Sequence, residues 1–381
     1  MRFKTLIIKN LVVLLIVLIS TVSYAQSLFE QLETIKEIPT LGVKSQGRTG
    51  TCWSFGTTSF IESELIRMGK GEIDLSEMFT VRCAYQDHSE LYIRYHGNLN
   101  FGPGSQCWDL FNVIANYGIV PNEAYPGLIV NPDRHDHSEM DKVLKAMTEC
   151  FVKSRKLSSV WDEAINGVLD VYLGDYPAEF EFNGKKYTPS SFRDDLEIDI
   201  ANYQIFTSFN QNPFYTDIVF ESPDNWSSGL VTNVDISDLI SIIDNSILNG
   251  YTVVWSSDVS DPGFEHSKGL AIVPEKNWDD MSEDEKTESF EKFVPQRKIT
   301  QEMRQLGFDN YETTDDHTMH IIGLSKDKSG VKYYKVKNSW GVESNDLGGF
   351  FYVSEAYVRL KTMTIAVNKN IIPKHIKEKL Q

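Results

Sequence analysis

Three patterns of apolar and polar residues succeed one another along the chain. The first is an unbroken apolar run from Leu11 to Ile19, preceded by Arg2, Lys4 and Lys9 and followed by Ser23-Tyr24-Ala25. A basic start, a short apolar stretch and small residues at the end form a secretory signal, with cleavage expected after Ala25. The run is shorter than the roughly 20 residues a membrane helix needs, so an anchor is not expected. The second pattern is helical. Phe55, Ser59, Glu62 and Ile66 recur at helical spacing from Cys52, with Gly69 as the stop. Leu110 to Tyr117, ended by Gly118, reads as a helix, as do the amphipathic stretches Glu139 to Leu157 and Val160 to Leu173. The third pattern is β-like and lies late in the chain, at Gly250 to Val259, Thr313 to Leu324 and Tyr333 to Val336. Helical patterns thus come first along the chain and β-like patterns later.

The helix that opens at Cys52 follows the turn Gln46-Gly47-Arg48-Thr49-Gly50-Thr51. A thiol at a helix N-terminus meets unpaired backbone N–H groups and the positive end of the helix dipole. That placement favours the thiolate. Taken alone, such a cysteine is more often a buried structural residue. The residues around it change the reading. Gln46, five residues, then Cys52-Trp53 resembles the active-site turn of the papain-like cysteine peptidases, and Asn338-Ser339-Trp340-Gly341 resembles that family's second signature. Thr49 stands where secreted papain relatives carry a cysteine that forms a disulfide, so that bridge cannot form here. The bleomycin hydrolase and aminopeptidase C branch also lacks it.

The resemblance implies roles. Cys52 is the nucleophile, a histidine its base, and Asn338 the group that orients the base; Gln46 and the Cys52 backbone N–H stabilise the oxyanion. Two histidines compete for the base. His317 lies six residues before Gly323, the spacing the family shows, and His320 lies three before it. Residues three apart on a strand point to opposite faces, so one of them meets Cys52, and His317 is assigned. Trp340 would cover the Asn–His hydrogen bond. Gly104 and Ser105, in the loop Phe101-Gly102-Pro103-Gly104-Ser105, would line the cleft with Trp340 and offer backbone to an extended substrate. The same loop read without the family is only a turn.

Cys52 and His317 are 265 residues apart, against roughly 130–150 in papain-like enzymes. The excess matches a helical insert at about 133–249, absent from plain papain relatives and similar to that of bleomycin hydrolases. The peptidase domain is therefore expected over residues 26–381. Gln26 to Lys44 is a short lead-in, so no inhibitory prodomain is expected. The ending Val367-Asn368-Lys369-Asn370-Ile371-Ile372-Pro373-Lys374-His375 also resembles this branch, in which a C-terminal arm lies in the cleft.

Charge and cysteine count narrow the partners. The chain carries a net charge of −17, and loss of the three cations of the signal takes it to −20. Such a chain repels nucleic acid and anionic lipid. Cys52, Cys83, Cys107 and Cys150 allow at most one disulfide beside a free nucleophile, with Cys83 and Cys107 expected as ordinary thiols. No metal site is expected: a His-x-x-His pair cannot converge from one strand. His135 and His137 read as a surface loop, and the acidic stretch Asn277 to Phe293 as a solvated face. No cofactor is expected.

The resulting expectation is a two-lobed papain-like α+β fold, a helical lobe and a β-sheet or barrel lobe with a helical insert. The chain would be exported, periplasmic or secreted, and would hydrolyse peptides as an aminopeptidase of the bleomycin hydrolase type. An endopeptidase, a hydrolase of small amides or thiolactones, and a non-enzymatic binding protein are the alternatives; homo-oligomerisation is left open.

Overall fold

The computed structural model describes residues 28–380, so the expected signal segment lies outside the described residues. The first strand, β1 (Glu33–Glu37), precedes three helices: α1 (Cys52–Arg67), α2 (Glu77–Arg94) and α3 (Cys107–Tyr117). Their ends are chemically marked. Past α1, Gly69 takes φ +77°, a conformation that favours glycine. At α2, Ser76 Oγ accepts the Phe79 N–H at 3.0 Å. At α3, the Asp109 carboxylate reaches back to the Gln106 N–H at 3.0 Å.

The insert is only partly helical. Helices α4 (Met140–Lys153) and α5 (Trp161–Leu173) each bury one stripe, Leu144 with Thr148 and Ile165 with Leu169 and Leu173. A hairpin of β2 (Phe180–Phe182) and β3 (Lys185–Tyr187) leads to α6 (Pro189–Asp195). Three strands follow, β4 (Tyr203–Thr207), β5 (Thr216–Val219) and β6 (Leu230–Asn233), before α7 (Ile236–Leu248). The helical expectation for 133–249 thus missed a run of short β-branched and aromatic strands. Each is too short to show a clear period; β4, β5 and β6 are held by joining the main sheet, while β2 and β3 pair only with each other.

The second half supplies β7 (Val253–Ser257), β8 (Phe264–Glu265), β9 (Leu270–Ala271), α8 (Glu283–Glu288), α9 (Gln301–Asp309), β10 (His317–Lys326), β11 (Lys332–Lys337), β12 (Phe350–Ser354), α10 (Glu355–Lys361), β13 (Thr362–Asn368) and α11 (Lys374–Lys379). An eleven-stranded sheet runs β5-β6-β4-β13-β7-β10-β11-β12-β9-β8, with β1 paired to β10. One apolar core lies among α1–α6, with Phe60, Phe79, Leu110 and Leu169 at its centre. A second lies between α7 and the sheet, around Trp255, Ile321, Tyr334 and Ile365. The acidic stretch is exposed along α8, where Lys276 pairs with Glu285 at 2.6 Å. All four cysteines are free; Cys83 and Cys107 are fully buried.

The lobes meet where α1 lies on β10. At Gly56 a side chain would place its Cβ 2.9 Å from the Thr318 carbonyl oxygen and 3.1 Å from the Thr318 Cγ2. Glycine therefore sets how closely the helix carrying Cys52 approaches the strand carrying His317.

The C-terminal residues take another course from the one the resemblance implies. Ile376 of α11 is fully buried in the second core. Lys379 Nζ reaches Asp238 of α7 at 2.8 Å and the Tyr215 hydroxyl at 2.9 Å, and His375 reaches Asp238 at 3.3 Å. The arm is held against α7 by an apolar anchor and by its own cations.

Gly56→Ala tests the lobe contact. A helical Gly→Ala change alone stabilises by about 0.5–1 kcal/mol, whereas overpacking against an unyielding backbone costs about 1–3 kcal/mol. The expected outcome in urea unfolding is a net loss of stability, with turnover reduced at full folding. A stabilised variant of unchanged activity would contradict the contact.

Candidate active site

The thiol sits at the first turn of α1. Cys52 is half-buried and lines a cleft with Gln46, Gly104, Ser105, Asp224, Asp315 and His317. Burial pushes its thiol up to about 11; the backbone N–H groups of Thr318 and Trp53 pull the other way, and the Asp315 and Asp224 carboxylates add to the rise. Burial thus opposes a lone thiolate here, against the pull of the helix N-terminus, and a base must share the charge.

That base is placed by β10 and β11. The imidazole of His317 meets Asn338 with Nε2 2.7 Å from Oδ1. The Ser339 N–H also donates to Asn338 Oδ1, at 2.8 Å, which identifies that atom as the oxygen. His317 Nε2 must then carry the hydrogen, and Nδ1 keeps the lone pair that can take a proton. Burial lowers the His317 pKa to about 4, partly offset by the bond to Asn338, so the ring is neutral and able to act as a base at neutral pH. The Trp340 ring lies over it, 4.9 Å between centroids at 32°. Trp340 thus shields the imidazole, and the residues lining the cleft at Cys52 do not include it.

His320 is on the opposite face of β10, packed under α1 with Nδ1 2.9 Å from Ser59 Oγ. It is fully buried and held well below the usual histidine range by burial, with Lys337 adding to the fall.

Gln46 is buried, and both ends of its amide are assigned. Nε2 donates to the Thr49 carbonyl at 2.8 Å, and Oε1 accepts the Ser339 hydroxyl at 2.7 Å. One Nε2 hydrogen remains for the cleft that Gln46 lines. The backbone repeats the tie: the Gln46 N–H donates to the Ser339 carbonyl at 2.8 Å, and the Gly341 N–H to that of Lys44 at 3.1 Å. Lys44 is itself clamped by Glu62, Glu77 and Asp74, at 3.1, 2.6 and 2.5 Å. The candidate oxyanion donor and the Asn–His pair are therefore built on one small antiparallel patch.

The glycine loop closes the other wall. Trp53 Nε1 donates to the Pro103 carbonyl at 3.2 Å. A Cβ on Gly104 would lie 2.0 Å from an Asp224 carboxylate oxygen, so only glycine leaves room for that side chain. Ser105 departs from its expected use. Its hydroxyl donates to Asp109 at 2.7 Å and accepts from Trp226 Nε1 at 3.1 Å, which ties it into the wall. The surface reading of His135 and His137 also fails. His137 is buried, because Arg48 pairs with this segment on both sides: its N–H donates to the His135 carbonyl at 2.9 Å, and its carbonyl accepts the His137 N–H at 3.2 Å.

Two groups of residues escaped the sequence reading. Asp224 reaches the cleft from the insert, and His266 stands behind Asn338, with Nδ1 3.4 Å from Asn338 Nδ2. Neither lies in a recognisable spacing; only the fold brings them to the site.

The profile of the Peptidase C1-like family matches residues 99–381. The chain belongs to the Peptidase C1-like family. The matched span includes His317 and Asn338, and relatives extend the likeness to about 90% of the chain. Aminopeptidase C of Listeria monocytogenes is 22% identical over 389 residues, 90% of this chain and 83% of the relative. Aminopeptidase C of Lactobacillus helveticus is 23% identical, over 90% of this chain and 82% of its own length. Aminopeptidase G of Lactobacillus delbrueckii subsp. lactis is 21% identical, over 90% and 84%. Among solved structures, PepW from Lactobacillus rhamnosis superposes with a TM-score of 0.71 at 18% identity, over 91% of this chain and 84% of that one. At that identity it shows that the fold is shared: a papain-like α+β architecture.

Within this Peptidase C1-like site, His317→Ala should remove turnover, whereas His320→Ala should reduce stability more than turnover. Gln46→Ala should lower kcat by roughly 10²–10³, the loss usual for one oxyanion donor, with little change in KM. Steady-state kinetics on the three folded variants checks both. A His320→Ala variant more damaged in kcat than His317→Ala would reverse the assignment.

Proposed function

We propose that this protein is a cysteine aminopeptidase, cutting peptides from their free amino end through a Cys52 thioester. The Cys52 sulfur attacks the scissile carbonyl carbon while its proton passes to His317 Nδ1. The Cys52 N–H and the free Gln46 Nε2 hydrogen stabilise the oxyanion. The proton then goes to the leaving amine. Water, deprotonated by the same nitrogen, attacks the thioester carbonyl and releases the acid and the thiol. The relatives named aminopeptidase C and G support the amino-end reading.

The observation that carries it is the charge of the cleft. Asp224 and Asp315 are half-buried beside Cys52, and among the described residues neither forms an ion pair. Asp224 accepts from Asn100 at 3.0 Å, and Asp315 accepts from Ser222 at 2.8 Å and from Gln106. Burial raises both, Asp315 to about 6, and each carboxylate opposes the thiolate. A substrate ammonium would neutralise them and favour the thiolate in one step. Asp224 of the insert and Asp315 just before β10, rather than the C-terminal arm, then supply the partner for the amino end. The signal-type start supports export; fractionation of cells producing the tagged full chain tests that part, and a cytosolic protein with an intact N-terminus would contradict it.

One fluorogenic peptide with a free and with an acetylated N-terminus tests the activity. Wild type should prefer the free amine, and Asp224→Asn should narrow the preference, acting on kcat as well as KM. Asp315 is neutral below its raised pKa, so the preference should fade as pH drops through about 6. Equal rates on both substrates would make the enzyme an endopeptidase.

A further inference from the structure

We propose that His266 is a positioning residue for the Cys52–His317 pair: from behind, it joins the Ser339 N–H in fixing the orientation of the Asn338 amide and thereby which nitrogen of His317 takes the thiol proton. The inference rests on the reading of Cys52 and His317 as nucleophile and base.

The argument follows hydrogens along a chain of contacts. Ser344 Oγ donates its one hydrogen to the Gly341 carbonyl at 2.6 Å. At the 2.9 Å contact between His266 Nε2 and Ser344 Oγ, the hydrogen must therefore come from the ring. Asn345 Nδ2 also approaches His266 Nε2, at 3.5 Å, but its two hydrogens go to the carbonyls of His266 and Phe350, at 3.1 and 2.8 Å. With the hydrogen on Nε2, His266 Nδ1 is a bare lone pair. It faces Asn338 Nδ2 at 3.4 Å and can only accept. The amide nitrogen of Asn338 is thus drawn to His266 and its oxygen is left for His317 Nε2–H at 2.7 Å. A reversed amide would offer N–H to His317 Nε2, move the ring hydrogen to Nδ1 and leave no base for the thiol.

The surroundings hold this state. His266 stacks beside Phe264, with centroids 6.4 Å apart, and meets Trp340 edge-on at 4.7 Å, the same indole that covers His317. Phe351 lies at 5.8 Å. The charged or titratable groups acting across this cage are Glu265 on the same turn and His317 beyond Asn338. Burial lowers the His266 pKa and keeps the ring neutral, while Glu265 works the other way. When acid does protonate it, Nδ1 becomes a donor facing another donor, and the amide orientation is lost.

Three variants of the full enzyme test this. His266→Phe keeps the aromatic packing and removes both nitrogens; kcat should fall roughly tenfold or more, the scale on which partners of a functional imidazole act, with KM little changed. His266→Gln can offer a carbonyl to Asn338 and an amide N–H to Ser344, so it should recover most of the loss. It should also move the acid limb of kcat/KM to lower pH, because one of two disabling protonations is gone. Ser344→Ala removes the group that fixes the tautomer and should lower kcat without disturbing the core; it decides the matter if His266→Phe does not fold. Wild-type kcat in folded His266→Phe, or in Ser344→Ala, would overturn the proposal, as would a folded His266→Gln as damaged as the phenylalanine variant. Cys52→Ser and His317→Ala remain inactive in any of these cases, so failure here is separable from failure of the nucleophile assignment.

Discussion

The approach of α1 to β10, with Gly56 against the Thr318 carbonyl, is the contact on which the rest depends. It brings the N-terminus of one helix to the end of one strand, and so a thiol to an imidazole drawn from opposite lobes. Neither group is reactive by itself. Burial holds Cys52 as a thiol and His317 as a neutral ring. Charging either alone in this setting is costly, and charging both by one proton transfer lets each stabilise the other. The lobe interface therefore decides reactivity through distance rather than through any single perturbed group.

Around that contact the structure controls hydrogens one at a time. Ser339 illustrates this: its N–H marks the oxygen of Asn338 and its hydroxyl marks the oxygen of Gln46. Two amides whose ends would otherwise be interchangeable are thereby oriented by one residue between them. His266 extends the same logic behind Asn338. The acidic side chains of the cleft act differently, through field rather than direction, and link the charge of the substrate to the state of the thiol.

Much of this was legible in the sequence where chemistry is local. A helix starting at Cys52 and the stops at Gly69 and Gly118 follow from local periodicity and from the backbone freedom of glycine. Strand alternation left room for only one of His317 and His320, and the family's spacing to Gly323 chose the former; the structure pairs His317 with Asn338 and buries His320 under Ser59. Residues whose role comes from long-range contact were silent. Asp224 lies in the insert, in a stretch whose purpose becomes visible only where Gly104 makes room for it. His266 opens a short 3₁₀ turn after a two-residue strand, with no period to mark it. His137 looked polar and exposed because the pairing that buries it, with Arg48, joins segments far apart in sequence. The course of the C-terminal arm was not legible, because its likeness to a cleft-filling arm says nothing of the Asp238 that captures its lysine.

The central claim is that His317, set in place by the lobe contact, makes Cys52 a nucleophile at a pH where burial alone would leave it inert. The rate of Cys52 alkylation by iodoacetamide at pH 6, in wild type and in folded His317→Ala, tests this without any substrate. The account predicts rapid alkylation in wild type and a rate in the variant no faster than that of an ordinary protonated thiol. Equal rates in the two proteins would show that the thiol owes nothing to the imidazole, and would contradict it.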